Sequence, residues 1–388
     1  MRHFYVLMLL ISGALSCQQA GPLPAFLQAA LEISDLDARQ AWIDQVMDSL
    51  EAVGQIPYLK GDTAIFLYQA KGKEAMVAGD FNQWNPEGTR MGNLKGTDLW
   101  YYSLPAETGA RLDYKFVRDD RSWHLDPRNA RKNGSGAYIN SELRMPGYHP
   151  PAETVYDSTV ARGRLDTLAV DTQAWPLCKA LIVYTPPGMD SLGSYPTVYL
   201  HDGLDQVRNA QVPIILNNLM AAGEIQPVIA VFLEPNDRNQ DYAFERQGDF
   251  ARFVVQEVVP FIDDHYPTSS QAADRMTMGA SFAGLISMMI AYSYPEVFGN
   301  CGIHSGAYWP NEGAAMDFLE KNLHAPVKYA AIWGSYDGVR RNNEKVIGLF
   351  EAVGKEVLWA VHPQGHTWPL WRDTTGDFLR YFFPGNPR

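Results

Sequence analysis

Residues 275–284, RMTMGASFAG, limit what this chain can fold into more than any other stretch. They read as a short apolar strand, a sharp turn and the start of a helix that continues LISMMIAYSY. The turn matches the pattern G-x-S-x-G except at its last position, where Ala283 stands for glycine and Gly284 follows. In that pattern a serine, here Ser281, sits on a strained strand-to-helix turn with its hydroxyl exposed. The N–H of the next residue, Phe282, then faces the place where negative charge develops. Small flanking residues are required because the strand and helix backbones approach closely.

A serine hydroxyl is a weak nucleophile until an imidazole takes its proton and a carboxylate orients that imidazole. Downstream, VKYAAIWGSYDG is an apolar strand whose following loop carries Asp337, and EVLWAVHPQGH is another whose loop carries His366. Taken singly, Ser281 is a small turn residue, Asp337 a loop cap and His366 a surface histidine. In the order Ser281, Asp337, His366, each just after a strand, they read as a catalytic triad. Asp317 and Glu344 fall on predicted helices, and His362 lies within a strand, so none of these is preferred.

At 388 residues the chain is long for one domain, and 46% apolar residues suffice for two cores. A net charge of −12 without a Lys/Arg cluster argues against nucleic acid as a partner. Residues 1–17 comprise Arg2, an apolar run from Phe4 to Ile11 that is too short to span a membrane, and small residues leading to Cys17. The stretch resembles a bacterial lipoprotein signal, which makes Cys17 the expected lipidated residue and the protein an exported, membrane-anchored one. The alternatives are an ordinary secretory signal cut nearby, or a cysteine that stands there by chance. Cys178 and Cys301 fall in strands as buried free thiols, so no disulfide, metal site or cofactor is expected.

Residues 22–60 carry apolar positions at helical spacing: Leu27, Leu31, Trp42, Val46, Leu50 and Val53, with Ser34 or Asp35 as a cap. They are read as one or two structural helices. From residue 61 to 148 the pattern changes to short strands separated by Gly, Asn and Pro turns, as in a small all-β, immunoglobulin-like sandwich. The motifs GDFNQWNP, DYKF and SWHLDPRN resemble the early-set domain of family 48 carbohydrate-binding modules. That resemblance implies sugar contacts by Trp84, Lys115, Trp123 and Asn140. Aromatic faces suit pyranose C–H faces, while amide and ammonium groups suit hydroxyls. The competing role of such a domain is to act as a packing partner or pocket wall.

After the Pro-rich HPPAE, residues 149–388 give two strands expected to be antiparallel and then six near-continuous apolar strands separated by helices. This is the pattern of an α/β domain with a mainly parallel central sheet. YLHDG, EPNDRNQDYAF, GASFAGL, GSYDG and GHTWPLWR together resemble esterases of the enterochelin-esterase and family 1 carbohydrate-esterase type, which have the α/β-hydrolase fold. The resemblance implies a serine carboxylic-ester hydrolase. Its oxyanion hole would be formed by backbone N–H groups of Phe282 and of Gly203 or Leu204. His304, Tyr308, Trp309 and Trp368 either line the substrate pocket or pack in the core. Arg238 and Arg246 either address an anionic substrate group or hold loops by ion pairs, and His201 and Asp202 are expected to shape a loop rather than move protons. Acyl or feruloyl esters of cell-wall polysaccharide are the expected substrates. The alternatives are a siderophore lactone and, from another class, a non-catalytic carbohydrate-binding lipoprotein.

Overall fold

The computed structural model describes residues 23–134, 139–169 and 175–385. Cys17 and the segment before it lie outside the described residues. The chain forms two compact units, with residues up to Met145 chiefly in the first and those from Pro146 chiefly in the second.

In the first unit two sheets face each other. One orders its strands Tyr58–Lys60, Thr63–Gln69, Leu99–Pro105 and Gly92–Asn93. The other runs Ala75–Gly79, Arg111–Arg118, Asn140–Arg144 and Lys132–Asn133, with Trp123–His124 paired onto Arg111–Arg118. Rings interlock between them: Tyr68 stacks on Phe116 at 4.3 Å and Phe66 meets Tyr114 edge-on at 4.7 Å. The helices Ala25–Leu31 and Leu36–Ala52 belong to this unit and bury Leu27, Ala30, Ile43 and Met47 against Ile65, Leu67 and Leu99. Asp35 is the cap of the longer helix, accepting the Ala38 N–H at 2.8 Å. The buried face differs from the sequence reading: Trp42 and Val53 are exposed, because contact with the sheet selects Ile43 and Met47 from a helix whose apolar residues fall on more than one face.

The second unit holds an eight-stranded sheet. We number its strands β1 (Arg164–Leu168), β2 (Cys178–Thr185), β3 (Thr197–His201), β4 (Ile229–Pro235), β5 (Arg275–Ala280), β6 (Asn300–His304), β7 (Lys328–Gly334) and β8 (Leu358–His362). Their order in the sheet is β1-β2-β4-β3-β5-β6-β7-β8. β2 is antiparallel to both its neighbours, and β3 to β8 are mutually parallel. The central strands are buried along their whole length, as a sheet covered on both faces requires. One face packs on Phe282–Ser293 and the helices of residues 247–265, and the other on Val212–Ala221 and the last helix, Trp368–Phe382. Parallel strands all end on one side, so the loops after β3, β5, β6, β7 and β8 gather at a single edge.

Candidate active site

β5 is the central strand of this edge and ends at Ala280, and the elbow helix begins at Phe282. Ser281 between them has φ +59° and ψ −121°, a backbone strain of about 1–3 kcal/mol for a residue with a side chain. A Cβ on Gly279 would lie 2.6 Å from the Cβ and backbone of Ala283, and one on Gly284 would lie 2.8 Å from Ile303. The close approach is therefore absorbed at 279 and 284, which is why alanine is accommodated at 283. The Ser281 N–H donates to the His304 carbonyl at 2.9 Å, tying the elbow to β6. The Phe282 N–H, at the start of the helix, has no acceptor among the described residues and points out of the helix end.

Asp337 lies beyond β7 and His366 beyond β8, and the loops bring them together. His366 Nδ1 is 3.1 Å from each Asp337 carboxylate oxygen. The Asp337 side chain is fully buried while His366 is 35% exposed, so the imidazole lies between the carboxylate and solvent. Burial pushes the Asp337 carboxyl up, but bonds from His366, the Ser305 hydroxyl and the Val339 N–H outweigh it and hold the group below its ordinary range. Trp371, which the sequence reading does not select, backs the imidazole edge-on at 5.1 Å and donates Nε1 to Ser305 at 3.1 Å. Its position three residues after Trp368, on the same helix face, is the available signal.

The remaining candidates divide. Trp309 is exposed and lies 5.3 Å from the Phe282 ring, and Phe244 completes a trio with them at 6.1 and 6.5 Å. Trp368 is half-buried and packs with Trp371 beside Ala280. His304 does not line a pocket: its side chain turns under the sheet onto Phe378 at 4.5 Å. Burial lowers its pKa to about 3. Tyr308 is likewise a core residue, with its hydroxyl bonded to that of Tyr329 at 3.0 Å. The Leu204 N–H is not open to a ligand, because it donates to Glu234 Oε2 at 3.1 Å. Of the two expected loop donors, Gly203 is the one whose N–H has no acceptor among the described residues. His201 is buried, bonded to Thr277 at 3.0 Å, and its pKa is lowered by burial to about 3, as befits a loop-shaping role. Both arginines form ion pairs, Arg238 with Asp202 and Arg246 with the fully buried Asp241.

In the first unit, Trp84, Lys115, Trp123 and Asn140 gather on one sheet face. Trp123 pairs directly with Val117, two residues along from Lys115, and cross-strand partners share a face. Asn140 donates to Asp113, two residues before Lys115, at 3.2 Å. Trp84 lies 6.2 Å from Trp123, which is 46% exposed. Among the described residues no cluster of His, Cys, Asp or Glu suits a metal ion, and no helix is long and apolar enough to cross a membrane.

The sheet order, the elbow and the loops after β5, β7 and β8 define an α/β-hydrolase. The family model "Putative esterase" matches residues 179–377, just over half of the chain; the chain belongs to this Esterase family and is a carboxylic ester hydrolase. The iron(III) enterobactin esterase of Escherichia coli K12 is 23% identical over 329 residues, 74% of this chain and 80% of that one. An endo-1,4-β-xylanase/feruloyl esterase of Xylanibacter ruminicola is 25% identical over 199 residues, 46% of this chain and 27% of that one. YjcH of Bacillus subtilis is 31% identical over 125 residues, 31% of this chain and about half, 52%, of its own length. Among solved structures, the ferric enterobactin esterase of Salmonella typhimurium superposes with a TM-score of 0.68 at 18% identity, covering 82% of this chain and 93% of that one.

Proposed function

We propose that the protein is a serine esterase in which Ser281 is acylated, His366 is the base and then the acid, and Asp337 orients the imidazole. The observation that carries this reading is His366 Nδ1 held at 3.1 Å from both oxygens of a buried carboxylate, with Ser281 on the strained elbow. With Nδ1 committed to Asp337, Nε2 is the nitrogen that takes the serine proton. The proton passes to the leaving alcohol, and water then attacks the acyl-enzyme by the same route. The carbonyl oxygen, as it becomes an oxyanion, accepts from the N–H groups of Phe282 and Gly203.

The proposed substrates are aromatic acyl esters of the feruloyl type carried on cell-wall polysaccharide. Phe244 and Trp309 pack on the ring of Phe282, the residue that follows Ser281, and an apolar wall built on them suits a planar acyl group. The likeness to a feruloyl esterase and the shared face of Trp84, Lys115, Trp123 and Asn140 support the same reading. In it, that face holds sugar, Cys17 carries a lipid and the protein acts outside the cytoplasm. A siderophore lactone is the second reading, favoured by the likeness to an enterobactin esterase over 74% of the chain.

The test compares methyl ferulate, acetylated xylan and enterobactin as substrates, with Ser281→Ala as control. Ser281-dependent ferulate release is expected. Cleavage of enterobactin alone would transfer the assignment to the second reading, and equal rates for the wild type and Ser281→Ala would overturn both.

A further inference from the structure

The loop after β3 is held at each residue by a different partner. Asp202, at φ +60°, has its carboxylate clamped by Arg238, with Nε at 2.8 and 2.9 Å from the two oxygens and Nη2 at 2.7 Å. The Asp202 N–H donates to the Tyr242 hydroxyl at 3.0 Å, and the Leu204 N–H to Glu234 at 3.1 Å. Gly203 itself lies against β4, where a Cβ would come within 2.6 Å of Leu233 N. Of the N–H groups of residues 202–204, that of Gly203 is therefore the one left without an acceptor among the described residues. The same guanidinium reaches the other side of the site: Arg238 Nη2 is 3.5 Å from the carbonyl of Ala280, the residue before Ser281. It also lies over the Phe282 ring, 5.7 Å from its centroid.

We propose that Arg238 is a positioning residue that, through Asp202, fixes the Gly203 N–H relative to the elbow and so sets the geometry of the oxyanion hole. The inference rests on the serine-esterase reading above. An oxyanion hole works only when its donors are fixed before charge develops, and small displacements cost rate rather than binding. Substrate capture is the rival role for Arg238. It fits the geometry less well, because Nε and Nη2 are both spent on Asp202 and the charge is neutralised by the pair.

The experiment measures kcat and KM on p-nitrophenyl acetate, which is neutral, and on p-nitrophenyl hemisuccinate, which is anionic. The proteins are the wild type, Ser281→Ala, Arg238→Gln, Arg238→Lys, Asp202→Asn and the Arg238→Gln/Asp202→Asn double variant. Expected are kcat losses of roughly 10- to 100-fold on both esters with KM within about twofold, as for a displaced hole donor. The double variant should be no worse than the singles, because both remove one interaction. Arg238→Lys and Asp202→Asn carry the test if Arg238→Gln does not fold. An unchanged kcat in folded variants overturns the proposal, as does a KM rise confined to the anionic ester. If wild type and Ser281→Ala are equally inactive, the esterase reading falls and this proposal with it. If the wild type is active through Ser281 and the Arg238 variants match it, this proposal alone falls.

Discussion

Asp337 is buried, yet its carboxyl is held below the ordinary range by His366, Ser305 and Val339. It thus stays ionised, and in the proposed mechanism its role is to fix the imidazole's tautomer rather than to take a proton. Asp337→Asn should leave the fold intact and reduce kcat by about 10⁴ at neutral pH, because an amide can present its N–H to Nδ1 and favour the wrong tautomer. Steady-state kinetics with circular dichroism on the same sample would check this. The three residues of the proposed triad can be nominated from sequence because each follows an apolar strand in a fixed order, and of the three the structure shows Asp337 and His366 in contact. For Leu204 and His304 the sequence leaves alternatives open, and for one reason. Which way an N–H or an imidazole points depends on long-range neighbours, Glu234 for the first and Phe378 for the second, and both are invisible to local pattern.

Among the elements, the site depends on how closely β5 and the elbow helix approach. Gly279→Ala would place a methyl 2.6 Å from the backbone and Cβ of Ala283. The expected result is a loss of about 1–3 kcal/mol in urea unfolding together with a drop in kcat, since the helix must shift away from the strand. Adding Ala283→Gly should restore only part of it, because the clash with the backbone of residue 283 remains. The strands of the large sheet are readable from their apolar runs, and the two-residue edge pieces Gly92–Asn93 and Lys132–Asn133 are not. Segments of two residues carry no periodicity, and only their pairing defines them. The first helices show the complementary limit: their existence is periodic and clear, but the buried stripe at Ile43 and Met47 is set by the sheet they cover.

For the molecule as a whole, two buried histidines link stability to pH. Burial lowers His201 and His304 to about 3, while each titrates near 6.5 once unfolded. Between those values the unfolded state binds more protons, so stability is complete above pH 6.5 and falls as the solution is acidified toward pH 3. The slope should be at most roughly 1.4 kcal/mol per pH unit for each histidine. His304→Asn or His201→Asn should flatten that slope in urea titrations run from about pH 7 to about pH 4.5, a window between the folded and unfolded values.

Whether Ser281 is an activated nucleophile decides the functional reading, and a fluorophosphonate probe followed by peptide mass analysis asks this most directly. One adduct on Ser281 is expected in the native protein, none in Ser281→Ala and little in Asp337→Asn. Ester hydrolysis that persists with no adduct on Ser281, or with the adduct on another residue, would contradict the assignment.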